Sequence, residues 1–125
     1  MTELKQTLYE FWAGFDMPAY QAELVPDGAK LPYITYEVVR PPAMSVLPLT
    51  AFAWFPRSVD GNMRRTAWMD AVEIAIPESG LLLPVEGEGY IKLERNTSGF
   101  LRDYQDPEDN TIIGARVSYL VRFYF

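Results

Sequence analysis

The sequence predicts an α+β domain, a mainly antiparallel sheet of about five strands with two helices packed on one face. Three observations predict it. The stretches 2–15 and 58–76 carry apolar residues at helical spacing. Five further stretches read as strands, rich in β-branched and aromatic residues or alternating with period two. The link between the first two of them holds no crossover helix, which a parallel neighbour would need. At 125 residues the chain fits one domain, 1–125, and an apolar content of 49% supplies its core.

In chain order, Leu4, Leu8, Phe11, Trp12 and Phe15 form the stripe of the first helix. Thr2 offers an N-cap, and Gly14 with Pro18 ends the helix. The stripe reads as core. Residues 16–31 form a connection with a Pro26-Asp27-Gly28 turn and a short extended piece around 20–24. The strand expected to organise the sheet is 32–40. It sets Ile34, Tyr36 and Val38 on one face and Tyr33, Thr35 and Glu37 on the other. Pro41, Pro42 and Pro48 mark 41–48 as a loop. Leu49 to Phe55 is the second strand, stopped by Pro56. Trp54 and Phe55 point to opposite faces, which leaves one of them a candidate surface aromatic.

For the second helix, Ser58, Asp60 and Asn62 all offer capping oxygens. Met63, Ala67, Ala71, Ile74 and Ala75 form a narrow apolar face expected to lie on the sheet, and Arg64, Arg65, Asp70 and Glu73 fall mostly on the other side. Leu81 to Val85 and Tyr90 to Arg95 read as a hairpin turning at Gly87 and Gly89, with Pro84 marking an edge strand. Residues 96–110 read as a long polar connection that holds Phe100, Leu101 and Tyr104. The last strand, 111–125, alternates Ile113, Ala115, Val117, Tyr119, Val121, Phe123 and Phe125 with smaller or polar residues. At ~3.3 Å per residue it spans close to ~50 Å, so it is expected to bend or to project beyond its sheet. The expected core holds Leu8, Trp12, Ile34, Tyr36, Val38, Ala67, Ala71, Ile74, Val117 and Tyr119.

The chemistry open to this chain is narrow. It has no cysteine and no histidine. That removes disulfides, zinc sites of the usual kind, and Ser-His-Asp or Cys-His nucleophiles. Glu86 and Glu88, and the acids Asp103, Asp106, Glu108 and Asp109, sit in turn-like solvated sequence, unlike a carboxylate pair tuned by burial. The acidic stretch lacks EF-hand spacing, and Gly87-Glu88-Gly89 lacks the lysine of a P-loop. No catalysis, cofactor or required metal is expected. A net charge of -6 argues against a dedicated nucleic-acid binder, since such affinity comes mainly from Lys and Arg neutralising phosphates. The N-terminus has no apolar signal region, and no window approaches the roughly 20 apolar residues of a membrane span, so no membrane partner is expected and a cytoplasmic protein is. Aromatics make up 14% of the chain and fall on both faces of its strands, for which self-assembly is the economical explanation.

Several blocks carry a resemblance: Leu8-Tyr9-Glu10-Phe11-Trp12, Met17-Pro18-Ala19-Tyr20, the run from Val25 to Tyr36, Trp54-Phe55-Pro56-Arg57-Ser58, and the 96–110 segment. Together, over most of the chain, they resemble a family of small tail-terminator or tail-completion proteins of long-tailed bacteriophages and prophages. The resemblance implies an α+β subunit of a hexameric ring that caps the tail tube, stops its growth and offers a surface to the head connector. It implies assembly in the host cytoplasm, a place in the virion, and DNA passing through the lumen without specific binding. It carries over no catalytic residue. Two other readings stay open, a head–tail connector or other neck component, and a small host-directed or regulatory binding domain of prophage origin. Exposure arguments, independent of the resemblance, nominate interface residues. Phe100, Leu101, Arg102 and Tyr104, with Arg122 and Tyr124 of the projecting last strand, form one half. Trp54 and Phe55 form the other, because a closed ring needs two different patches.

Overall fold

The last and longest apolar alternation becomes the spine of the sheet. In the computed structural model, which describes residues 2–38, 46–87 and 89–124, β7 (Ile112–Tyr124) has three partners. Along one edge it pairs antiparallel with β3 (Val46–Pro56). Along the other it pairs antiparallel with β5 (Gly89–Arg95) and β6 (Leu101–Gln105). The sheet is completed by β4 (Leu81–Val85) beside β5, and by β2 (Tyr33–Tyr36) and β1 (Ala19–Gln21) beyond β3. Two helices, α1 (Thr2–Ala13) and α2 (Val59–Ala75), cover one face.

The class is the expected α+β, and the sheet differs in detail. It has seven strands and is mixed, because β1 runs parallel to β2. The short extended piece sought near residue 20 is β1. The segment 96–110 is not one long connection, since Leu101–Gln105 pairs with β7. Arg95 faces Tyr119 and Leu101 faces Val117, so residues 96–100 oppose Ser118 alone. The Asn96 N–H donates to the Ser118 carbonyl at 3.1 Å, and the Ser118 N–H donates to the Phe100 carbonyl at 2.8 Å. β5 and β6 therefore form one interrupted run beside β7, an enlarged bulge in effect. That pairing removes the expected projection of the last strand, which is laddered on both edges as far as Arg122. The strand at 32–40 is not the organiser; it is four residues long and second from the edge. Residues 39–45, Glu88 and Phe125, and the proposed Thr2 cap side chain, lie outside what is described.

Proline placement follows the ladder. Pro84 sits in the edge strand β4, as expected. Pro48 lies inside β3, but β2 covers only Ala51–Trp54 of that strand, so Pro48 stands near an open edge where sheets tolerate proline.

The core lies between the helices and the odd-numbered side chains of β3 and β7. Ala51, Ala53 and Ala115 are fully buried and small. They leave room for the indoles of Trp12 and Trp68, whose centroids are 6.2 Å apart. Trp12 also packs against Tyr119 at 5.6 Å, and its Nε1–H donates to the Tyr119 hydroxyl at 3.4 Å. Burial pushes the Tyr119 hydroxyl well above the usual tyrosine range.

The expected face of α2 is wrong. Gly61, Trp68 and Val72 are its buried residues, followed by Ile76 just past its end. Ala67, Ala71 and Ile74 are exposed, and Ile74 keeps 82% of its surface. One large indole decides the rotation, because burying Trp68 removes far more apolar area from water than burying three small side chains. The Ser58 hydroxyl caps the helix, accepting the Gly61 N–H at 2.9 Å. Arg65 also faces inward. It donates to the Asn62 side chain at 2.8 Å and to the Gly114 carbonyl at 3.3 Å, and it lies 3.6 Å from Asp103, so it ties α2 to the sheet. Val38 is half-buried, and the other expected core positions, Leu8, Trp12, Ile34, Tyr36, Val117 and Tyr119, are buried.

Candidate assembly interface

The face of the sheet opposite the helices is built by the even-numbered residues of β3 and β7. Period two puts Phe52 and Trp54 there, and β6 adds Tyr104 through its pairing with Gly114. The three rings form one cluster. Phe52 and Trp54 stack at 5.3 Å, and Tyr104 meets them edge-on at 5.0 and 5.6 Å. Two contacts hold the indole flat on the sheet. Trp54 Nε1–H donates to the Thr35 hydroxyl at 3.0 Å. Gly114 lies beneath the ring, where an added Cβ would stand 3.1 Å from Trp54 Cε3. The register carries the aromatic strip on to Tyr33, opposite Trp54, and to Tyr20, whose ring meets Tyr33 at 5.8 Å. All five rings are half-buried, and no described element covers them.

Beside the cluster lies a polar pocket of about 200 Å³ that reaches Ser98 and Ser118. Glu37 on its wall accepts the Thr50 N–H at 2.7 Å and also the Thr50 hydroxyl. Arg102 and Arg116 stand directly opposite each other across β6 and β7 and line the same pocket. Neither has an ion pair among the described residues, and Arg116 Nε is buried without a hydrogen-bond partner.

The nominated residues separate by position. Trp54, Tyr104 and Arg102 are brought together on this face. Tyr124 lies at its far end, 51% exposed, next to the exposed Tyr90 across the ladder. Arg122 is on the same face but engaged, its Nε donating to Glu94 Oε1 at 2.8 Å. Phe55 is a correction. It is 1% exposed on the helix side and belongs to the core, as the alternation beside an outward Trp54 requires. Phe100 and Leu101 pack against the core of their own domain, and the Arg95 guanidinium lies 4.8 Å over the Phe100 ring. Phe55 is thus closed to a partner, while Phe100 and Leu101 are half-buried against their own domain rather than gathered with the cluster on the open face.

Phe52, Gly114 and Arg116 escaped the sequence reading. Phe52 was within reach, since it stands two residues before Trp54 and shares its face. Arg116 and Gly114 needed the β6–β7 register, which the bulge at 96–100 hides.

The acidic residues have structural work. Asp106 accepts the Glu108 N–H at 2.8 Å, and Asp109 accepts the Thr111 N–H at 2.8 Å, so both shape the turn into β7. The Thr111 hydroxyl and N–H hold the Asp109 carboxyl below its usual range. Glu86 is exposed in the β4–β5 turn. Among the described residues no group of three acidic, His or Cys side chains is placed to hold a metal ion. No helix there is long and apolar enough to cross a membrane. Comparison with known protein families, curated proteins and solved structures finds no match to this chain.

Proposed function

We propose that this chain is a structural protein of a long-tailed bacteriophage, a tail terminator that assembles as a ring on the end of the tail tube. In this reading the ring stops tube growth and receives the head connector, and DNA passes through its lumen. The carrying observation is the uncovered aromatic face, with Phe52, Trp54 and Tyr104 clustered on rigid strands. Aromatic side chains on a flat, preorganised surface are what protein–protein interfaces use at their centres. The resemblance of the aromatic and proline blocks to tail-completion proteins supplies the biological setting. The net charge of -6 suits a lumen through which phosphate passes without sticking.

The test is growth of purified tail tubes with and without the protein, followed by light scattering and electron microscopy. Arrested growth with density at one tube end is the expected result. Tubes that lengthen at an unchanged rate, with bare ends, would contradict the proposal.

A further inference from the structure

The helix α2 is apolar on two sides. Its inner side buries Trp68 and Val72. Its outer side carries Val59, Met63 and Ile74, which are 81%, 66% and 82% exposed, with Ala67 between them. Spacings of four and eleven residues put Val59, Met63 and Ile74 on one stripe. Asp70 falls within that stripe, four residues before Ile74 and seven after Met63, and it has no partner among the described residues. A solvated helix gains nothing from such a stripe, which marks an interaction surface.

The opposite side of the molecule offers a matching surface. The open sheet face is apolar at Phe52, Trp54 and Tyr104 and positive at Arg102 and Arg116. Like charges directly opposed across strands destabilise a sheet. The Glu37 carboxylate in the same pocket is engaged by Thr50, and neither arginine has an ion pair among the described residues. A sheet with one bare apolar face is completed by a layer of helix. The 17 residues of α2 make a rod of about 25 Å, shorter than the roughly 36 Å of the 11-residue β3.

We infer that α2 of one copy of this chain docks by its outer stripe on the open sheet face of the next copy, with Asp70 brought to Arg102 and Arg116. Apolar stripe meets aromatic face and carboxylate meets arginine, so charge complementarity within one sequence selects a second copy as the occupant. The two patches differ and face away from each other. The contact is therefore heterologous and continues beyond a dimer, as a ring requires. This inference rests on the assembly reading and gives it a specific interface.

The chain has no cysteine, so introduced ones are unique. Ile74→Cys protein mixed with Tyr104→Cys protein should form an interchain disulfide under mild oxidation, and Ile74→Cys alone should not. Asp70→Arg should weaken self-association roughly tenfold by sedimentation, and combining it with Arg102→Asp and Arg116→Asp should restore it. Circular dichroism checks that each variant is folded. A disulfide in the Ile74→Cys sample alone, an unchanged mass for Asp70→Arg, or a wild type that stays monomeric would each overturn the inference. Wild-type arrest of tube growth beside a failed cross-link would leave the terminator reading standing and reject only this interface. A successful cross-link beside unaffected tubes would do the reverse.

Discussion

At Gly61 an added Cβ would sit 1.9 Å from the Pro56 carbonyl oxygen. The tight passage from β3 into α2 leaves no space there, and the obstacle is backbone, which cannot rotate away. Gly61→Ala should therefore lower the urea midpoint by the equivalent of about 1–3 kcal/mol, the usual cost of overpacking. Gly87→Ala, with open space around a φ of 75°, should cost only the left-handed strain of ~1 kcal/mol. Equal midpoints for the two variants would show that the β3–α2 passage is looser than described. In the core, Tyr119→Phe strips the Trp12 Nε1–H of its acceptor and should cost about 1–3 kcal/mol. Tyr119 also sets an alkaline limit. Its folded value lies above that of the unfolded chain, so the folded state holds the proton longer and stability falls as pH rises past about 10. Tyr119→Phe should flatten that decline in a series of urea midpoints between about pH 9 and pH 11. An unchanged slope would exclude Tyr119 as its source.

At the scale of elements, α2 separates the two ways of reading its pattern. Trp68→Ala should cost about 3–5 kcal/mol, and Ile74→Ala less than about 0.5 kcal/mol. If Ile74→Ala proved the more damaging, the helix would be rotated as the sequence alone suggested. That error has a physical origin. Both sides of α2 are apolar, so periodicity offers two answers, and the narrower stripe of small residues looked like a sheet-packing face. α1 was legible because Leu4, Leu8 and Trp12 form a single buried stripe at helical spacing. β7 was legible as a strand through its long alternation, and the β4–β5 hairpin through Gly87 and Pro84. β6 was hidden because Arg102 and Asp103 interrupt its apolar pattern and the preceding bulge breaks its continuity with β5. The interface was half legible. Trp54, Tyr104 and Arg102 were found by their chemistry. Alternation set Trp54 and Phe55 on opposite faces without saying which faces out, and the partial packing of Phe100 and Leu101 against their own core depends on the β6–β7 pairing.

For the whole molecule, the described elements cover the sheet on one side only, and the other side carries the half-buried cluster of Phe52, Trp54 and Tyr104. Trp54→Ser with Tyr104→Ser removes the centre of that face without touching the buried core. The double variant should keep the wild-type circular dichroism spectrum and lose assembly and tube capping. Retained capping by the folded variant would move the contact to another face. The most direct measurement is tail length by electron microscopy in a phage deleted for this chain and complemented with it. Tubes should be overlong and headless without the chain, and tails should have one length and be joined to heads when the wild type is supplied. Tails of uniform length joined to heads in its absence would contradict it.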